Sequence, residues 1–327
     1  MLKTINTLFI GTSEFAVPII EKLFSLEYIN VAGVVTQPDR PVGRNQKISP
    51  PPVKLYLKSK QESSQIFQPE NITQTADTIL AETTPELVIV ASYGQFIPEK
   101  ILNYPKYKCL NIHVSLLPKL RGAVPIPISI WRGFSETGVT IQVMEKEMDV
   151  GDIIATKKFP IQETDTTDSL TKKASIEGAN LLEEILPDWL DGNISPRKQD
   201  HAKATYCFIS DISKENAEID WNKTSDEIER MVRALYPWPV AWFELDEQNT
   251  SNEQFHGKVL KVYKSLLDPA EIKTIIASER YNKFQIGELF KHKKRLFVKT
   301  GDGALELTKV QMQGKKKMPG KNYLFLI

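Results

Sequence analysis

Asn111 and His113 stand two residues apart at the end of the short apolar run that begins at Cys109, and Asp149 follows 36 residues after the histidine. If that run is a strand, both side chains leave it on one face, because strand residues alternate sides. An amide beside an imidazole gives a fixed donor for a developing oxyanion and a group that exchanges protons near neutral pH. Asp149, in the turn-like stretch Asp149-Val150-Gly151, can orient His113 and stabilise its imidazolium form. The same pattern also suits a hydrogen-bonded histidine at a strand end and an aspartate that merely caps a turn. Residue types and spacing leave both readings open. No His, Cys or carboxylate cluster has ligand spacing, so no metal is expected. Cys109 and Cys207 are too few for a disulfide framework.

The surrounding elements must place these groups. Leu8-Phe9-Ile10 is a strand-like run, and apolar residues recur at helical spacing from Phe15 to Leu26. Val31 to Val35 and Glu86 to Ala91 are further strand-like runs, the second preceded by a helical pattern from Ala76 to Glu82. This alternation predicts βαβ units and an α/β fold, a Rossmann-like, mostly parallel sheet with helices on both faces. Open α/β sheets hold their sites at the C-terminal ends of parallel strands, which suits Asn111 and His113. Gly11-Thr12-Ser13-Glu14 lacks the glycine spacing of a dinucleotide fingerprint, so NAD is not supported. Gln37 to Pro52 holds five prolines, one glycine and three basic residues, and can be neither helix nor central strand. At 16 residues it exceeds the roughly 2–6 of an ordinary βα connection, which favours a functional loop. Val139 to Met144 and Asp152 to Ala155 read as strands flanking the Asp149 turn. Thr166 to Leu190 reads as a long amphipathic helix, capped at Asp165, Thr166 or Thr167 and ended by Asp191-Gly192-Asn193.

The chain has 327 residues, 41% hydrophobic and 25% charged, ordinary values for a globular protein of two domains. The expected boundaries are 1–195, a polar linker over 196–211, and 212–327. The second domain shows one helix from Ser225 to Leu235, a break at Pro237-Trp238-Pro239, and short strands near Val240 to Phe243, Val259 to Tyr263, Arg295 to Lys299 and Leu305 to Leu307. These predict a small, OB-like β-barrel. No apolar run reaches the ~18 residues of a membrane span. The apolar N-terminal stretch reads as a first strand rather than a signal peptide, so a cytoplasmic protein is expected. The net charge of +1 hides an asymmetry: residues 255–327 carry 16 Lys and Arg against 6 Asp and Glu, +10, leaving −9 for the rest. A basic module suits a polyanionic partner, and a solvated lysine surface explains it equally well. His201, His256 and His292 show no partner pattern and are expected to be structural or exposed. Trp131 and Trp189 are expected to pack on the sheet. Trp221, Trp238 and Trp242 are expected to pack in the core or between domains rather than to stack on RNA.

Longer motifs carry a resemblance. Asn-Ile-His-Val-Ser-Leu-Leu-Pro over 111–118 is followed by Arg121-Gly-Ala-Val-Pro-Ile126, Gly138-Val139-Thr140 and Met148-Asp149-Val150-Gly151-Asp152-Ile153. With Phe9 to Pro18, Val35 to Pro41, Arg233 to Pro239 and Gly314 to Gly320, these resemble the folate-dependent formyltransferase family across essentially the whole chain. The resemblance implies that Asn111, His113 and Asp149 are catalytic and that Ser115, Leu116, Leu117 and Pro118 contact the folate. It further implies that Arg44 on the long loop enters a tRNA acceptor stem. Lys315, Lys316 and Lys317 of the basic module are the matching candidates for tRNA phosphates. The implied reaction takes the formyl group of 10-formyltetrahydrofolate to the α-amino group of methionine on initiator methionyl-tRNA, for translation initiation. The alternatives within the family act on an aminosugar nucleotide or hydrolyse formyltetrahydrofolate. Expected partners are initiator methionyl-tRNA and tetrahydrofolate, with no membrane and no metal, and the expected state is a monomer. Pro127 and Ile128 replace the family's Gln-Arg, Val124 replaces an alanine, and Asn45-Gln46 replace residues richer in Gly and Lys.

Overall fold

The computed structural model describes residues 4–43, 46–62 and 64–327. Packing divides it into two compact units. One takes the chain up to Pro125 with Glu136–Pro160 and Leu170–Tyr206; the other takes Ile126–Ser135, Ile161–Ser169 and Cys207–Ile327.

In the first unit β1 (Ile5–Gly11), α1 (Ala16–Ser25) and β2 (Ile29–Val35) lead to a hairpin of β3 (Arg40–Val42) and β4 (Lys47–Ser49). α2 (Pro52–Lys60), β5 (Gln65–Phe67), α3 (Ile72–Thr83), β6 (Leu87–Ala91), α4 (Glu99–Leu102) and β7 (Cys109–His113) follow. β8 (Arg121–Gly122) comes next, then α5 (Pro125–Trp131), which from Ile126 on belongs to the second unit, then β9 (Glu136–Val143), β10 (Ile153–Pro160) and α6 (Thr167–Leu190), in the first unit from Leu170 on, and β11 (Tyr206–Cys207) pairs with β8. The central sheet has the order β10-β9-β7-β6-β1-β2-β5, parallel from β7 to β5 and antiparallel at β9 and β10. This is the expected Rossmann-like sheet. β6 lies at its centre with all five residues buried.

Alternation explains the two faces. Leu8 and Ile10 of β1, Val88 and Val90 of β6 and Cys109 of β7 share a core with Ile72, Ala76, Ile79 and Leu80 of α3. On the opposite face α6 comes so close that a Cβ at Gly178 would stand 3.0 Å from Ile112 Cγ2. Ile112 therefore faces α6, and its neighbours Asn111 and His113 face the other way. α6 starts at Thr166, whose hydroxyl accepts from Ser169 N at 3.2 Å, and stops before Gly192, at φ 75°. The expected long loop is the β3–β4 hairpin, off the central sheet, and its last proline, Pro52, opens α2. The sequence pattern predicts neither α2 nor β5.

The second unit builds an antiparallel sheet from β12 (Trp242–Glu244), β13 (Val259–Leu266), β14 (Leu289–His292), β15 (Arg295–Lys299), β16 (Ala304–Met312) and β17 (Met318–Pro319). Its order is β12-β13-β16-β15-β14, with β17 beside β16. α7 (Ser225–Ala234) begins with a capping box: Thr224 Oγ1 accepts from Glu227 N at 3.2 Å, and Glu227 Oε2 accepts from Thr224 N at 3.0 Å. α8 (Pro269–Ile276) lies between β13 and β14, an addition to the single helix expected of this domain. Phe284, Phe290 and Phe297 stack in sequence at 4.5 and 5.7 Å between ring centres. Trp221 is buried edge-on against Phe243 at 5.0 Å, as expected. Trp238 corrects its expectation: it is 52% exposed, because the turn between Pro237 and Pro239 carries it away from the core.

Candidate active site

β7 delivers Asn111 and His113, and the antiparallel β9 lies beside it with Asn111 opposite Gln142 and His113 opposite Thr140. Paired residues share a face, so four polar side chains meet where apolar neighbours Ile112 and Ile141 face α6. Asp149 closes the group from the turn between β9 and β10. Its φ is 56°, a left-handed conformation that Asp and Asn tolerate better than most side chains.

The carboxylate of Asp149 collects donors. Oδ1 lies 2.8 Å from Gln142 Nε2, 3.3 Å from Asn111 Nδ2 and 3.5 Å from His113 Nδ1. Oδ2 accepts from Gly122 N at 2.8 Å. That backbone donor depends on glycine, since Gly122 sits at φ 115°. His113 is 6% exposed, and its Nε2 lies 2.9 Å from the Leu120 carbonyl. A carbonyl only accepts, so Nε2 carries a proton and Nδ1 faces the carboxylate. Asn111 and His113 of one strand and Asp149 from a turn 36 residues beyond the histidine thus meet at one carboxylate oxygen.

The loop after β7 is internally braced. Ser115 is buried; its hydroxyl donates to Lys119 O at 2.6 Å, and its carbonyl accepts from Thr140 Oγ1 at 2.6 Å. Leu117 is buried too, and its N–H donates to Thr140 Oγ1 at 3.2 Å. Leu116 and Pro118 are half-buried and remain the accessible side chains of this segment. Leu116 also packs against β9 where glycine makes room, since a Cβ at Gly138 would overlap Leu116 Cδ2.

A second layer has no local signature in the sequence. Arg121 is 1% exposed; its Nε and Nη2 donate to Gln199 Oε1 at 3.2 and 2.7 Å, and Nη1 to the Tyr206 hydroxyl at 3.2 Å. Arg121 Nη2 also lies 3.1 Å from His201 Nδ1, so His201 has a partner that its surroundings in sequence do not suggest. Gln199 Nε2 donates to the carbonyls of Asp149 and Gly151 at 2.9 and 2.7 Å. The polar Thr140 and Gln142 alternating with apolar Val139 and Ile141 are the signal that could find one half of this layer.

Burial pushes the Cys109 thiol well above its ordinary range, and Sγ rests 3.5 Å from Met144 Sδ, so it stays a thiol and serves as packing. Among the described residues, no group of three or more His, Cys, Asp or Glu is arranged to hold a metal ion, and no helix is long and apolar enough to cross a membrane. Arg44 lies outside the described residues. Lys315, Lys316 and Lys317 are exposed in the turn between β16 and β17, apart in sequence from the Asp149 site. Lys317 Nζ stands 3.9 Å above the Tyr263 ring.

The chain belongs to the formyl transferase family, a class of group-transfer enzymes: the family described as Formyl transferase matches residues 3–186, and Formyl transferase, C-terminal domain, matches 211–325. More particularly, it is 40% identical to the methionyl-tRNA formyltransferase of Bacillus subtilis (strain 168), over 97% of this chain and 93% of that one. It is 38% identical to the methionyl-tRNA formyltransferase of Caldanaerobacter subterraneus over 97% and 95%. Among solved structures, the N-formyltransferase of Helicobacter canadensis, in complex with folinic acid and dTDP-3-aminofucose, aligns at TM-score 0.64 and 20% identity over 93% of this chain and 99% of that one. HypX of Aquifex aeolicus, in complex with tetrahydrofolic acid, aligns at TM-score 0.63 and 17% identity over 98% of this chain and 47% of that one.

Proposed function

We infer that the protein transfers the formyl group of 10-formyltetrahydrofolate to the α-amino group of methionine carried by initiator methionyl-tRNA. The observation that carries this reading is the 40% identity, across both units, to a methionyl-tRNA formyltransferase, against 20% to an N-formyltransferase in complex with an aminosugar nucleotide.

The reading gives each site residue a task. An α-amine has a reference pKa of ~7.7–8.0, so part of it is neutral near pH 7 and can attack the formyl carbon. The carbonyl electron pair moves onto oxygen. Asn111 spends one amide N–H on Asp149 and has a second for that oxyanion. His113 holds a proton on Nε2, and Asp149 beside Nδ1 keeps the ring oriented and stabilises its cationic form. The tetrahedral intermediate then collapses. The bond from formyl carbon to folate nitrogen breaks, the amine nitrogen loses a proton and the folate nitrogen gains one. Moving the Nε2–H from the Leu120 carbonyl to the substrate is the event that engages His113.

Leu116 and Pro118 present the accessible surface of the folate-contacting loop, with Ser115 and Leu117 bracing it from inside. Arg44 and the lysines at 315–317 serve the tRNA, and the protein acts as a monomer in the cytoplasm. The test offers methionyl-tRNA, an aminosugar nucleotide and water to one formyl-folate mixture. Formyl-methionyl-tRNA as the dominant product is expected; preferential sugar formylation or formate release would overturn the reading.

A further inference from the structure

Resting on that reading of Asp149, we propose that Arg121, Gln199 and Gln142 are positioning residues: a directional hydrogen-bond relay that holds the Asp149 carboxylate in register with Asn111 and His113. Its direction follows from chemistry. A guanidinium only donates, and an ionised carboxylate only accepts. At one end Arg121 presents Nε and Nη2 to Gln199 Oε1, which turns Gln199 Nε2 toward oxygens. Those oxygens are the carbonyls of Asp149 and Gly151, at 2.9 and 2.7 Å, and Gln142 Oε1 at 3.3 Å. An amide has two N–H groups, so the longer Gln142 contact shares one with a carbonyl; together with the carboxylate, which only accepts, it turns Gln142 Nε2 toward Oδ1, the shortest side-chain contact there at 2.8 Å. Both amides are thereby fixed against flipping.

The relay grips Asp149 at two points, its carboxylate through Gln142 and its own carbonyl through Gln199. A residue at φ 56° needs such support, because a left-handed conformation relaxes unless its surroundings over-determine it. All three relay side chains are at least nine-tenths buried, with exposures of 1% for Arg121, 2% for Gln142 and 5% for Gln199. Water therefore does not substitute easily for a missing partner. Asn111 and His113 meet the same oxygen at 3.3 and 3.5 Å, so a carboxylate that swings misaligns both.

The test uses Gln142→Met, Gln199→Met and Gln142→Glu in the full chain, with Asp149→Asn alongside. Both methionine variants keep side-chain length and remove the amide; kcat should fall roughly 10- to 100-fold with KM for formyl-folate little changed, since misplacement costs rate rather than binding. Gln142→Glu should reveal the contact. Protonated, its O–H replaces the Nε2–H donor to Asp149; ionised, it opposes a like charge at contact distance. The charged and titratable groups around the pair and its relay include His113, Arg121, His201 and Tyr206. The kcat profile of Gln142→Glu should therefore gain a falling limb at high pH that the parent lacks. Methionine variants within twofold of the parent, a parental pH profile for Gln142→Glu, or uniform loss at every pH would overturn the relay. Should the methionine variants lose their circular dichroism signature, the profile of the glutamate variant decides. If Asp149→Asn leaves transfer intact, the reading of the site fails. If Asp149→Asn abolishes transfer and the glutamine variants do not, the relay alone fails.

Discussion

At the scale of residues, the His113 ring sits between a carbonyl and a carboxylate, and in the proposed reaction it acts on the transition state. His113→Ala or Asn111→Ala should lower the transfer rate by roughly 10²–10⁴, with formyl-folate binding retained in equilibrium titration. Combining either with Asp149→Ala should cost far less than the product of the single losses, because the groups act as a unit. Stability separates two substitutions at Asp149. Asn tolerates φ 56°, whereas Ala lacks that tolerance and should lose about 1–2 kcal/mol in urea unfolding relative to Asn. Asn111, His113 and Asp149 stand out in sequence because a strand's two-residue alternation and a glycine turn are local signals. Gln199 is not legible: it reaches Gln142 across 57 positions from a polar connector that resembles any linker.

Elements make the site precise. The turn carrying Asp149 is closed by Gly151, where a Cβ would fall on the Val143 carbonyl oxygen, far inside contact distance. Backbone cannot yield as a flexible side chain does, so Gly151→Ala should part β9 from β10, lower the thermal midpoint and reduce turnover together. An unchanged midpoint would show that the turn has room. The capping box of α7 gives a milder change: Thr224→Ala should cost about 0.5–2 kcal/mol, read by urea unfolding, and leave folate binding intact. α1, α3, α6 and α7 are readable because each buries one face and so writes a period into its sequence, and β1 and β6 because burial on both faces makes them short apolar runs. The three-residue β3, β4 and β5 are too short to show a period, and α2 opens on a run of prolines that reads as a breaker.

At the scale of the molecule, charge is divided along the chain, −9 before Phe255 and +10 from there on. The exposed lysines at 315–317 belong to the positive end, and Lys317 is steadied over Tyr263. Neutralising the three together should weaken binding to any tRNA, initiator or elongator, and shallow the log K against log salt slope by roughly 0.9 or less for each phosphate no longer neutralised. Filter binding at several salt concentrations measures both. Unaltered affinity and slope would return these residues to the role of a solvated surface. Charge asymmetry is visible from composition; the arrangement of the antiparallel sheet is less so, because β13 pairs with β16 across the intervening α8, β14 and β15.

The second compact unit draws Ile126–Ser135 and Ile161–Ser169 from within the stretch of chain that otherwise builds the first. Modularity in the gene and modularity in space therefore differ. No single cut separates the molecule into its two bodies: a fragment ending at Tyr206 keeps two segments native to the other unit, among them Ile126, Ile128 and Ile130, each at most 4% exposed in the intact chain. Such a fragment should bind a fluorescent apolar dye that the whole protein excludes. Recombination between relatives should therefore preserve both packed bodies only where these two inserts travel with the C-terminal unit.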